Sequence, residues 1–464
     1  MNINVSLQAV DLQDKIDRLW YLSAAKIRAI ADHYSNEKGA PVFTIRGIYT
    51  SRGWTEWTQG FQYGSAILQF DGTGDQSFLD YGRQSTVEHM AAHITHGGVH
   101  DHGFNNVSTY GNLQRLMQEG RITPDPWEQH FYELALKCSG AVQARRWTPI
   151  SGGTGYIYSF NGPHSLFADT IRSLRALVLA HRLGHVLMDE QDQAVSLLRR
   201  FFDHARTTAE FAVYYGEDRD AYDCRGRVAH ESIFNPNNGV YRCPNSQQGY
   251  SPFSTWTRGL AWIMCGYAEQ LEFVRILDDS ELAPFGGRDK VGLLMLKAAR
   301  ATCDFYIEHT TADGIPFWDT GALGLHRLGD YRERPSDPGN DIEPVDSSAA
   351  AIAAQGLLRL GRYLQGEGDA GAGDRYWQAG LTVADTLMDE PYISTDASHQ
   401  GLLLHSIYHR PNGWDHVPDG SRIPKGEASM WGDYHIRELA LYIQRINRGE
   451  PYLNFLGPAY SGGW

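Results

Sequence analysis

Two aspartates stand where proton-transfer chemistry could be built. Asp101 sits in His100-Asp101-His102-Gly103-Phe104 at the start of a Gly- and Asn-rich loop. Asp169 follows Ser159-Phe160-Asn161-Gly162-Pro163 and falls in the first turns of an apolar helical run, Leu166-Phe167-Ala168-Asp169-Thr170-Ile171. Apolar neighbours raise a carboxyl pKa and a helix N-terminus opposes that, so such a group can be tuned as an acid. Two carboxylates sharing one cleft separate in pKa and divide roles. The bland alternative for each is an ordinary capping or loop carboxylate.

A second constellation runs from His230 through Gln248-Gly249-Tyr250-Ser251 to Trp256-Thr257-Arg258-Gly259-Leu260-Ala261-Trp262. On a helix Arg258 and Trp262 share a face, so a guanidinium and an indole line one wall. With His230 and Gln248 nearby, these residue types suit an anionic sugar: the ring stacks on indoles and Arg holds its carboxylate. The histidines 89, 93, 96, 100 and 102 include i,i+4 pairs, but no HExxH accompanies them and Gly97-Gly98 interrupts the last pair. Hydrogen-bonding or surface histidines explain them better than a metal site does. Phosphate-loop, dinucleotide and GxSxG signatures are missing from any useful context, so those chemistries have little support.

Helical periodicity dominates the elements that must position these groups. Apolar residues recur at three- and four-residue spacing over 12–34, 60–70, 76–95, 127–144, 165–187, 191–214, 255–276, 288–309, 346–364, 371–388 and 432–446. Alternating strands are hard to find. Long loops at 96–112, 147–164, 217–254 and 311–345 alternate with short turns, two of which end in Gly-x-Gly-Asp at 72–75 and 366–369. Eleven or twelve helices so joined predict an all-α closed ring of helix pairs, an (α/α)6 barrel; an open solenoid would want caps and a stricter period. No linker divides the 464 residues, so one domain over 1–464 is expected, with residues 1–35 as its first helix. Asp346-Ser347-Ser348 reads as a scaffold helix start.

A net charge of −14 argues against nucleic acid and anionic membranes as partners. Twelve Trp and twenty-five Tyr exceed what packing alone demands. Five cysteines without a CxxC, no leader-like start and no long apolar run point to a cytoplasmic protein without a membrane span.

Taken in order, Trp57-Thr58-Gln59-Gly60-Phe61, the His100 to Phe104 block, Asn161-Gly162-Pro163 leading to Asp169, His230, Gln248 to Ser251, Trp256 to Trp262, Asp313 to Asp319, Asp346-Ser347-Ser348 and Trp431-Gly432-Asp433-Tyr434 resemble the unsaturated glucuronyl hydrolases, glycoside hydrolase family 88. The resemblance runs from about residue 54 to the C-terminus. It implies the (α/α)6 barrel and release of a 4,5-unsaturated uronic acid from the non-reducing end of lyase-generated oligosaccharides by vinyl-ether hydration. It further implies Asp169 as acid and base, Asp101 assisting, and Trp57, Phe160, His230, Gln248, Arg258 and Trp262 binding substrate, with no metal or other cofactor. Leu260 stands where the family commonly has Gln, Gln247 replaces a frequent His, and Phe160 a frequent Trp. A Ser-x-x-Ser-x-Lys pattern is not evident near Ser421, Lys425 and Ser429. Alternatives on the same barrel are an unsaturated rhamnogalacturonyl hydrolase of family 105 type, a polysaccharide lyase, a sugar epimerase and a non-catalytic sugar-binding toroid. A monomer or small homo-oligomer is expected.

Overall fold

The computed structural model describes residues 1–53 and 56–456. The first position of the resemblance (54–55) and the end of the expected 1–464 domain (457–464) lie outside the described residues. Among the described residues, twelve main helices follow in chain order: α1 (Gln13–His33), α2 (Gln59–Thr73), α3 (Gln76–His89), α4 (His102–Asn106, a π turn Val107–Gly111, then Asn112–Gln118), α5 (Pro126–Arg145), α6 (Thr170–Ser173 and Arg175–Arg182), α7 (Leu197–Phe211), α8 (Thr257–Ile276), α9 (Arg288–His309), α10 (Ser347–Gly366), α11 (Ala370–Leu387) and α12 (Met430–Asn447).

The even-numbered helices form an inner ring, each packing on the next, and α12 closes back on α2. Residues of α2, α8, α10 and α12 are buried nearly all round, as expected of helices enclosed on every side. The odd-numbered helices cover them with one apolar stripe; α7, for example, buries Leu197, Leu198, Phe201, Phe202 and Ala205. This is the expected (α/α)6 barrel. The two Gly-x-Gly-Asp turns lead from α2 to α3 and from α10 to α11. Gly74 (φ 77°) and Gly368 (φ 85°) take the left-handed conformation that glycine favours. Asp75 and Asp369 then cap the outer helices by accepting from Ser77 N–H and Ala372 N–H.

The loops from outer to inner helices are longer and gather at the N-terminal ends of the inner ring, where they fold into small strands. β1 (Pro41–Ile45) pairs with β2 (Ile48–Ser51), and β3 (Ser165–Phe167), β4 (Glu231–Asn235) and β5 (Val240–Asn245) form an antiparallel sheet in the order β3-β4-β5. Two more ribbons join 147–149 with 155–157 and 187–188 with 194–195.

Three sequence expectations change. The loop read at 96–112 contains the first half of α4. The helix read over 165–187 begins as β3 and becomes helical only at Thr170, so Asp169 precedes the helix. The first helix occupies Gln13–His33, after a 3-10 turn at Ala9–Leu12.

One hydrophobic cluster extends from Leu12 to Leu456. Along the ring axis it encloses charge: Arg172 donates to Glu269 (3.0 Å) and Glu438 (2.9 Å), and Arg359 donates to Glu272 (2.8 Å), all buried. No helix among the described residues is long and apolar enough to cross a membrane.

Candidate active site

At the N-terminal ends of the inner helices lies a cavity of about 890 Å³ whose floor carries His100, Asp101 and Asp169. A cavity of similar size at the opposite pole is lined by Arg115, Arg121 and Arg445, whose guanidiniums are engaged by Asp71, Glu119 and Glu450. Arg182 also lines it and donates to the Leu456 carbonyl. Of the two, the first brings histidines together with Asp101 and Asp169.

His100 Nε2 stands 3.5 Å from Asp101 Oδ1 and 3.6 Å from Asp169 Oδ2. All three side chains are buried. Burial raises the Asp101 carboxyl above its ordinary range, and His100 only partly offsets this. Burial also pushes Asp169 upward, but the charge and hydrogen bond of His100 beside it bring its net position below the usual carboxylate range. For His100 burial opposes the charged form, yet the two carboxylates outweigh it and its pKa lies above 6.5. The triad is coupled, so its protons belong to the group of three. Candidate ligand atoms of the same residues lie within 4.8 Å of one another, a spacing that a cation could also use.

Main-chain contacts fix this arrangement. The carbonyl of His100 accepts from Gln143 Nε2 of α5 (2.7 Å) and from Ser173 Oγ of α6 (2.6 Å), which ties the Asp101 peptide to the helix that follows Asp169. On the other side, Ala168 N–H donates to His230 O (2.9 Å), continuing the β3-β4 pairing up to Asp169. Buried Glu231, opposite Phe167 in that ladder, accepts from Asn161 Nδ2 (2.9 Å) and Asn245 Nδ2 (2.6 Å) and pins the turn that carries Phe160. Arg146, just past α5, donates to the carbonyls of Gly97, Tyr158 and Ser159.

The structure brings the other residues singled out in the sequence to the same place, with distinct positions. Trp57 stacks on Trp431 at 5.1 Å, Trp262 packs on Phe104 at 4.7 Å, and Phe160 lies parallel to the His100 ring at 6.4 Å. Trp57, Phe160, Gln248, Arg258 and Trp262 all line the cavity. His230 sits behind its wall, between Phe167 and Trp256, and Nδ1 accepts from Gln247 N–H (3.0 Å). Burial lowers its pKa to about 3, so it is a neutral imidazole with the proton on Nε2.

Arg258 is engaged by the protein itself. It donates to Asp346 Oδ2 (3.1 Å), to the carbonyls of Ile407 and Tyr408, and to Gln248 Oε1 (2.9 Å). Asp346 is thus the helix start expected of it and also an ion-pair partner. Arg258 nevertheless lines the cavity, and with Gln248 Oε1 occupied by it, Gln248 Nε2 is a second donor at this wall.

The histidines sort by environment. His102 is held at both nitrogens, by Ser139 Oγ (2.9 Å) and His96 O (3.1 Å), whereas His93 and His96 reach the cavity. Burial takes His102 to about 3 and His93 to about 4. Sequence reasoning missed the strap 408–414, which adds Tyr408, His409, Asn412 and Trp414 to the opposite wall. Half-buried Asp415 accepts from the N–H groups of Tyr408 and His409 (2.9 Å for the latter) and holds the strap in place. Its signal was an aromatic-rich segment broken by Pro411 and Gly413, directly before the Trp431 helix.

Two relatives align over most of the chain. An unsaturated glucuronyl hydrolase of Bacillus sp. strain GL1 is 25% identical over 398 residues, covering 84% of this chain and 87% of the relative. Another from Formosa agariphila is 24% identical over 385 residues, covering 82% and 78%. The chain is a homologue of the unsaturated glucuronyl hydrolases. Among solved structures, the Bacillus sp. GL1 unsaturated glucuronyl hydrolase superposes with a TM-score of 0.68 at 22% identity, covering 94% of this chain and 97% of that one. An unsaturated glucuronyl hydrolase specific for heparin gives 0.69 at 18% identity, covering 94% and 98%. No protein-family model matches.

Proposed function

We propose that this chain is a glycosidase that releases 4,5-unsaturated uronic acid from the non-reducing end of lyase-generated oligosaccharides by hydrating the vinyl ether. The observation that carries the reading is one buried imidazole between two carboxylates, at the floor of a cavity walled by indoles. Asp169 gives a proton to C4 as the C4=C5 electron pair takes it up. Water then bonds to C5 and returns a proton to Asp169. The hemiketal so formed loses its C5 to ring-oxygen bond, leaving a ketone, and the hemiacetal at C1 expels the hydroxyl of the leaving sugar. Asp101 and His100 hold the proton that Asp169 needs in the first step. Carboxyl and imidazole groups suffice for this chemistry, and no cofactor is invoked.

Asp169 is ionised at neutral pH in the open site. An arriving uronate displaces water and adds negative charge beside it, and both effects draw the proton from the triad onto Asp169. Gln248 Nε2 receives the uronate carboxylate, while Trp57, Phe160 and Trp262 stack on the sugar faces. Five unpaired cysteines suit a reducing cytoplasm, and one catalytic domain accounts for the chain. The leaving sugar is read by incubating the protein with unsaturated chondroitin-, hyaluronan-, heparin-, ulvan- and rhamnogalacturonan-type disaccharides and identifying released sugars by mass spectrometry. Release only from the rhamnogalacturonan type would favour the family 105 reading. Gain of double bonds from intact polymer would make it a lyase.

A further inference from the structure

α5 is apolar on two faces. Its inner face buries Tyr132, Ala135, Leu136, Ser139 and Gly140 against α4 and α6. Its outer face presents Trp127 (85% exposed), Phe131 (39%) and Leu134 (59%) to solvent, with half-exposed Cys138 next in line. The spacing 127, 131, 134, 138 is the alternating four and three of a helix-pairing seam. Solvent-facing helices of a barrel ordinarily carry polar residues there. Met188, 55% exposed, lies on the short strand that packs against the same helix and widens the patch.

We infer that this seam is the contact between two copies of the chain, paired through antiparallel α5 helices about a two-fold axis midway between Phe131 and Leu134. That register sets Phe131 on Leu134 of the second copy and Trp127, the largest knob, on Cys138, the smallest. A two-fold contact must be self-complementary, and this one is complementary in size. The patch exposes on the order of 500 Å² of apolar surface, the upper range for a monomer. Doubled across two copies it reaches roughly 1,000 Å², the lower bound for a specific interface. The inner face of the same helix supplies Gln143, which holds the His100 carbonyl.

Sedimentation equilibrium of the full chain at tens of micromolar tests this. The wild type is expected at twice the 52.0 kDa chain mass. Trp127→Glu with Leu134→Glu is expected at one chain mass, with unchanged far-ultraviolet circular dichroism. Leu293→Glu, at a position 66% exposed on α9, leaves the dimer intact. In a Cys224→Ser, Cys243→Ser background, W127C is expected to form an intermolecular disulfide with Cys138 on oxidation. A wild type at one chain mass, a dimer that survives the double substitution, or the lack of that crosslink overturns the proposal.

Discussion

At the scale of single residues the site turns on His100, whose ring is shared by two carboxylates of opposite tendency. Because its pKa is raised above 6.5, the triad keeps its proton to higher pH than a free imidazole would and loses it as pH rises through that raised pKa. The expected kcat/KM profile is therefore flat below that pKa and falls above it. His100→Gln removes the proton store, so the fall moves to lower pH and kcat drops by about 10- to 100-fold. An alkaline limb that stays where it is in the variant would contradict this. Gln248 is assigned to substrate holding, so Gln248→Ala should raise KM by about tenfold while kcat changes little. Steady-state kinetics on a disaccharide substrate separate the two parameters.

At the scale of elements, the site depends on α4 and α6 approaching closely, and Gly103 permits it. A Cβ added there would lie 2.1 Å from Ser173 O and 2.6 Å from its carbonyl carbon, both backbone atoms that cannot swing aside. Gly103→Ala should cost about 1–3 kcal/mol in urea unfolding. It should lower kcat by tenfold or more, because it moves Asp101 away from Asp169. Gly97→Ala, four residues before Asp101 and with open space around its Cβ, should do neither.

The same region shows what the sequence could reveal. Amphipathic outer helices such as α7 and α9 were legible because one face is wet, and the start of α8 was legible from Trp256 and Arg258. The first half of α4 was not. His102-Gly103-Phe104-Asn105-Asn106 has poor helix formers and is buried on all sides, so neither propensity nor an apolar stripe marks it. β3 was hidden because three residues, Ser165–Phe167, become a strand only by pairing with β4. The site residues were visible as types, but the engagement of Arg258 by Ile407, Tyr408 and Asp346 joins segments far apart in the chain. Only the closed ring puts them together.

At the scale of the whole molecule, the inner ring is held around buried charge. Arg172 faces Glu269 and Glu438 with none of the three reaching solvent. Removing Arg172 leaves Glu269 and Glu438 buried with only the longer contacts to Arg175 and Arg359, so Arg172→Met should destabilise the barrel by about 3–5 kcal/mol in urea unfolding. A loss below about 1 kcal/mol would mean that the network contributes little to closing the ring. The barrel thus places ion pairs along its axis and a buried histidine between two carboxylates at one rim.

The central claim is that this rim hydrates an unsaturated uronic acid through Asp169. The direct measurement is ultraviolet absorbance of the conjugated double bond in an unsaturated disaccharide panel, with wild type and Asp169→Asn compared at equal protein concentration. At least one disaccharide is expected to lose its absorbance with wild type, and the Asn variant should be slower by about 100-fold or more. If no disaccharide loses absorbance, the hydrolase reading is wrong; if the variant keeps the full rate, the proton does not pass through Asp169.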